Sequence, residues 1–319
     1  MIWIFSYARS GSTLILDFLA KLFEYNRIFE PFMEEPEKVR GHRDFKEVHN
    51  WFRGAPKVHL LPHYKIGEFY LGRIPVPAFD SVQIATYKAK LKNYIKAIYD
   101  NYGSQTIVKC VRQQGNIKFI QSILEELGIE AGFIFLKRNP FEIAYSYYRM
   151  GGFHKRSSWS VNQVFQYRKC MYHGESDETD MLFARVKNPL DKLVVAILAD
   201  YKAFDESLTW LKEHEIKALN LNYEDMINHT VDNCHTTASY FKIPLTREKI
   251  LKTVEAFSFN PAKLNSSRLD PVYAFLCQRT AKNLALTSQS VPVSEGLKSL
   301  ELWHTKCLLK NILPFIKVS

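Results

Sequence analysis

The chain opens almost wholly apolar. Ile2-Trp3-Ile4-Phe5-Ser6-Tyr7 reads as a short strand buried on both faces, of the kind found inside a parallel sheet. A polar turn, Ala8-Arg9-Ser10-Gly11-Ser12-Thr13, follows it, and the apolar period then changes to that of a helix. Leu14, Phe18 and Leu22 form one stripe with Ile15, Leu19 and Phe23 beside it, while Asp17, Lys21 and Glu24 take the opposite face. The opening unit is strand, turn, helix.

That unit recurs. Thr106-Ile107-Val108 predicts a strand, and Ile117, Ile120, Leu124 and Leu127 predict a helix closed by Gly128. Gly132-Phe133-Ile134-Phe135-Leu136 is a further buried strand running into Lys137-Arg138-Asn139-Pro140. There Asn139 suits a helix cap and Pro140 the first turn of a helix that ends at Gly151-Gly152. Residues 191–213 predict a long helix, Ala218 to Tyr223 a strand, and the segment after Thr230 another helix. Repeated strand-helix units predict an α/β fold, P-loop-like, with a parallel sheet flanked by helices on both faces. Its ligand crevice is expected at the carboxyl ends of the strands.

Between about 31 and 105 the rhythm breaks into a stretch rich in Tyr, Phe, His and Pro, in which only 84–99 is clearly helical. Such an insertion suits an acceptor pocket or lid, or equally an ordinary surface elaboration. The 319 residues, 46% of them hydrophobic, fit a single domain over 1–319.

A formal charge of +10 favours an anionic ligand. The basic residues are spread along the chain rather than clustered with aromatics, which argues against nucleic acid as a partner. No apolar run approaches the roughly 20 residues of a membrane span, and the start lacks the features of a signal peptide. A cytoplasmic protein without a membrane partner is expected. Cys110, Cys170, Cys234, Cys277 and Cys307 form no C-x-x-C pair, so reduced thiols and no metal site are expected. Oligomeric state has no signature in the sequence.

The richest chemistry lies in the turn from Arg9 to Thr13. Backbone N–H groups at a helix N-terminus, hydroxyls and a cation together make an anion cradle. It is not a G-x-x-x-x-G-K-[ST] loop, because the lysine is missing and Arg9 stands earlier in the turn. The alternative is a tight connection whose serines cap the helix. The Arg9-Ser10-Gly11-Ser12-Thr13 motif after a first strand resembles the 5′-phosphosulfate loop of sulfotransferases, particularly those acting on carbohydrates and protein tyrosines. By that resemblance Arg9, Ser10, Gly11, Ser12 and Thr13 would hold the 5′-phosphate and transferring sulfuryl group of 3′-phosphoadenosine 5′-phosphosulfate (PAPS). The product would be 3′,5′-adenosine bisphosphate (PAP).

Arg138 and Ser146, eight residues apart within FLKRNPFEIAYSYYR, are similar to the same family's 3′-phosphate motif. An arginine leaving a strand and a serine two turns along the next helix can flank one dianion. Taken alone, they are also compatible with a surface ion pair and a helix hydroxyl bonding its own backbone. Glu30, in Phe29-Glu30-Pro31, resembles the glutamate that serves the family as general base, and it is the candidate catalytic residue together with Arg9. A solvated carboxylate or a partner for Arg9 is the alternative.

His42, His49, His59 and His63 are substitutes for that base. Lys109 and Arg112 leave a strand either toward the crevice, where they would stabilise the leaving phosphate, or as a solvated rim. Arg268, in Asn265-Ser266-Ser267-Arg268, falls where family members close a loop on the nucleotide, and Tyr223-Glu224-Asp225 reads as packing and helix entry. The family's Golgi members carry an anchor and disulfides, of which this sequence shows neither sign, so a bacterial-type enzyme sulfating a small-molecule acceptor is expected ahead of one acting on a glycan. A small-molecule kinase would need magnesium and a loop lysine.

Overall fold

The computed structural model describes residues 1–29, 31, 81–111, 116–149 and 189–257. Glu30, the histidines between 42 and 63, Arg112, Arg268 and most of the 31–105 insertion lie outside the described residues.

Five strands form one parallel sheet: β1 (Ile2–Ser6), β2 (Asn26–Phe29), β3 (Thr106–Cys110), β4 (Gly132–Lys137) and β5 (Ala218–Asn222), in the order β2-β3-β1-β4-β5. The helices between and after them, among the described residues, are α1 (Ser12–Phe23), α2 (Ser81–Tyr102), α3 (Ile117–Glu126), α4 (Pro140–Arg149), α5 (Pro189–Glu213), α6 (Tyr223–Asn228), α7 (Thr230–Tyr240) and α8 (Arg247–Phe257). β1, β3 and β4 are buried almost throughout because both of their faces are covered.

The two-residue period of the strands divides the core in two. Trp3, Phe5, Val108, Phe133 and Phe135 pack on the side of α2, α3, α4 and α5. Ile2, Ile4, Ile107, Ile134 and Leu136 pack on the side of α1, α6, α7 and α8. Trp3, Phe5, Phe133 and Phe135 stack with ring centroids 6.1–6.2 Å apart, a rigid floor below the strand ends. The α/β architecture with helices on both faces is the one the sequence predicts.

Boundaries differ in instructive ways. The helix expected over 84–99 runs from Ser81 to Tyr102. The strand expected from Ala218 to Tyr223 stops at Asn222, because the Asn222 side chain accepts a hydrogen bond from the Glu224 N–H (2.9 Å) and starts a helix there. α8 was not anticipated, although Ile250, Val254 and Phe257 make a helical stripe packed on the α1 side of the sheet.

β1 and β4 are parallel neighbours paired from Ile2↔Gly132 to Ser6↔Leu136. The helix after β1 lies on one face of the sheet and the helix after β4 on the other. Their carboxyl ends therefore part at a topological switch point, where open α/β sheets form their ligand crevice. The turn carrying Arg9 and the turn carrying Arg138 both leave from this place.

Candidate functional site

At the end of β1 the chain turns through two left-handed residues, Arg9 (φ 71°) and Gly11 (φ 81°). Such angles cost a non-glycine residue about 1–2 kcal/mol, so Arg9 is held against its preference. A Cβ on Gly11 would lie 2.1 Å from the Tyr223 ring, so both the backbone angle and the space require glycine. Gly11 is the N-cap of α1, and no side chain caps that terminus. The N-cap position falls to Gly11 and to neither serine. α1 therefore begins beyond the carboxyl end of β1, and the positive end of its dipole lies there. Ser10 and Ser12 are buried, and the Ser10 Oγ has no hydrogen-bond partner among the described residues. Arg9 is exposed, and Gly11 and Thr13 are half-buried.

Lys109 joins this loop from β3. The strand period turns it to the α1 side with Ile107, and it is only 4% exposed. Its Nζ lies 3.4 Å from Thr13 Oγ1 and 4.1 Å from the centroid of the Phe29 ring. The burial excludes a solvated rim. A lysine amine from a neighbouring strand thus stands against a loop that has no lysine of its own.

Arg138 is the first residue beyond β4. Its Nε and Nη2 donate to one Glu142 oxygen at 3.2 and 2.8 Å, and its Nη1 donates to the Arg9 carbonyl at 3.1 Å. The guanidinium lies over the Tyr223 ring, 4.8 Å from Cζ to centroid. The Tyr201 hydroxyl fixes its backbone, accepting from the Arg138 N–H at 2.7 Å and donating to the Arg138 carbonyl at 2.6 Å. Asn139 caps α4 as expected, its side chain accepting from the Phe141 N–H at 2.9 Å. Two turns later the Ser146 Oγ accepts a hydrogen bond from Arg9 Nε at 3.1 Å. The two motifs picked out in the sequence thus meet in one crevice.

The layer beneath them was not legible as functional. Glu224 Oε1 accepts from the Asn139 N–H at 3.0 Å. Burial holds the Glu224 carboxyl above the usual carboxylate range, opposed by the Asn139 N–H bond and reinforced by Glu142. Burial also raises the phenols of Tyr201 and Tyr223, with Arg138 opposing the shift in each. Tyr223 and Glu224 do pack and begin a helix, and they also brace both anion-facing turns. The spacing of Arg138 and Glu142, four residues apart on a helix start, was the available signal for the ion pair. Tyr201 carried no sequence signal.

Among the described residues no group of three or more His, Cys, Asp or Glu is placed to hold a metal ion. No described helix is long and apolar enough to cross a membrane. Cys110 and Cys234 are both buried, and burial pushes the Cys234 thiol up to about 12.

The fold and the crevice define a doubly wound α/β protein with an open helix N-terminus and two arginines at its switch point. The sequence model of the Sulfotransferase domain matches residues 1–271, and the chain belongs to the sulfotransferase family. No protein of curated function matches its sequence. Among solved structures it is similar to a sulfotransferase domain from the curacin biosynthetic pathway (15% identity, 79% of this chain and 77% of that one, TM-score 0.40). It is also similar to sulfotransferase STF9 from Mycobacterium avium (13% identity, 82% and 68%, TM-score 0.41). A third is the sulfotransferase domain of the Synechococcus PCC 7002 olefin synthase (15% identity, 95% and 94%, TM-score 0.38).

Proposed function

We propose that this sulfotransferase uses PAPS as donor and a hydroxyl or nitrogen of a small-molecule acceptor. The observation that carries the donor assignment is the junction of the two motifs: Arg9 Nε bonds Ser146 Oγ, and Arg138 Nη1 bonds the Arg9 carbonyl. Two cations and an uncapped helix N-terminus in one crevice suit a ligand with two separate anionic groups, as a nucleotide phosphorylated at both the 5′ and 3′ positions has. The glycine cradle at Gly11 and the buried Ser10 hydroxyl fit a phosphate laid against the backbone.

When bound, PAPS supplies the sulfuryl group, and its phosphate–sulfate S–O bond breaks as the acceptor's bond to sulfur forms. Arg9, the first-turn N–H groups of α1 and Lys109 would hold the 5′-phosphate and stabilise the charge gathering on it. Arg138 and Ser146 would hold the 3′-phosphate. Glu30 would take the acceptor's proton. β2 ends at Phe29, the residue before Glu30, and Phe29 pairs in register with Lys109. We assign the acceptor pocket to the aromatic 31–105 insertion, Arg268 to the nucleotide, and the protein to the cytoplasm.

Thermal-shift measurement tests the donor assignment. PAP without metal is expected to stabilise the protein strongly, adenosine 5′-monophosphate (AMP) weakly, and ATP with magnesium no better than AMP. Equal shifts for PAP and AMP, or a magnesium requirement, would overturn it.

A further inference from the structure

Arg138 can serve a phosphate only if some of its five N–H groups point away from the protein. Three are engaged: Nε and one Nη2 proton on Glu142, and one Nη1 proton on the Arg9 carbonyl. The Glu142 carboxylate is itself sealed, with its side chain 1% exposed against 16% for Arg138. An acid so placed has two opposing effects. Its charge repels an arriving dianion, while its single oxygen, gripping the Nε and Nη2 edge, sets the direction of the remaining fork. If neutralising Arg138 were all it did, the site would bind anions better without it.

We infer that Glu142 is a positioning residue for 3′-phosphate recognition: it turns the Arg138 guanidinium so that its two remaining N–H groups face the crevice beside Ser146. The inference rests on the donor assignment above. The Tyr223 ring beneath the guanidinium and the Tyr201 hydroxyl on its backbone remove the other freedoms, and Glu142 removes rotation of the fork. Arg is suited to this role and Lys is not, since only a planar fork can be aimed.

The test compares the ratio of PAP to AMP affinity, by calorimetry, in the whole protein and its variants. Glu142→Ala is expected to lower that ratio at least about tenfold, the worth of a charge-assisted hydrogen bond. Glu142→Gln, which keeps an oxygen acceptor and loses the charge, should hold the ratio within about threefold. In an Arg138→Ala background, Glu142→Ala should lower it no further. A purely structural role would weaken both nucleotides alike and leave the ratio unchanged, which would overturn the inference. So would a Glu142→Gln variant whose ratio rises, since charge would then dominate over aim. If Glu142→Ala does not fold, Glu142→Asp carries the test. It keeps the charge but withdraws the oxygen by one methylene, so its ratio should fall while that of Glu142→Gln persists, and an unchanged ratio would overturn the inference. A parent protein that binds PAP and AMP equally would overturn the 3′-phosphate assignment itself, and the role of Glu142 with it.

Discussion

Arg9 and Ser146 are 137 residues apart in the chain, and the Arg9 Nε stands 3.1 Å from the Ser146 Oγ. One lies in the turn between β1 and α1 and the other sits on α4, so their contact is the joint between two strand-helix units. The bond ties the Arg9 side chain to α4.

The two partners should fail differently. On the proposed donor assignment Ser146→Ala removes one contact to the 3′-phosphate, so PAP affinity should fall about tenfold while AMP affinity holds. On the same assignment Arg9→Ala removes a cation from the 5′-phosphate in both ground and transition states, so PAP affinity, AMP affinity and turnover should all fall. Calorimetry with both nucleotides, combined with steady-state rates, checks the contrast.

The parts of this site that were legible in the sequence were those governed by local rules. An apolar run broken by Arg9-Ser10-Gly11-Ser12-Thr13 can only be a strand feeding a helix, and Asn139-Pro140 marks a helix start by backbone preference alone. The bracing of Arg138 was not legible, because Tyr201 reaches it across 63 residues and Glu224 reaches Asn139 across 85. Lys109 looked ambiguous for a related reason. Whether a lysine near a strand end is rim or interior depends on the helix packed above it, here the first turn of α1.

Gly11→Ala is expected to destabilise the protein by about 2–4 kcal/mol, adding left-handed strain to overpacking against the Tyr223 ring. Gly128 gives the control. It also has a positive φ, 65°, but a Cβ there meets nothing within 4 Å. Gly128→Ala should therefore cost only the backbone share, about 1 kcal/mol. Urea unfolding of the two variants side by side measures the difference, and equal losses would remove the Tyr223 contact from the explanation.

The buried carboxyl of Glu224 predicts a pH dependence of stability. Its folded pKa is raised above the ordinary 4.5, so the folded state binds this proton more tightly than the unfolded chain does. Its contribution is therefore favourable at low pH and is lost as pH rises from about 4.5 through the raised folded value. Glu224→Gln keeps an acceptor for the Asn139 N–H and cannot titrate. Its stability should decline less steeply than the parent's across that window. Thermal unfolding in a buffer series checks this, and parallel curves for the two proteins would count against it.

The last prediction concerns Glu30. β2 delivers the chain to Phe29 beside Lys109, and Lys109 in turn faces Thr13 of the phosphate loop. A base is needed because the acceptor must lose a proton as it attacks sulfur, and in the sequence Glu30 directly follows that strand. Glu30→Gln is close in size and unable to take a proton. PAP binding should remain nearly unchanged, while turnover falls about 10²-fold or more, the usual loss with a general base. The pH profile is the second readout. Turnover of the parent should rise as the base ionises, and that acidic limb should be missing in the variant. An acceptor amine that is already unprotonated would blunt the rate effect, so a hydroxyl acceptor is the stricter test. If Glu30→Gln turns over at the parent rate with the same acidic limb, the base lies elsewhere, and His42, His49, His59 and His63 become the residues to replace.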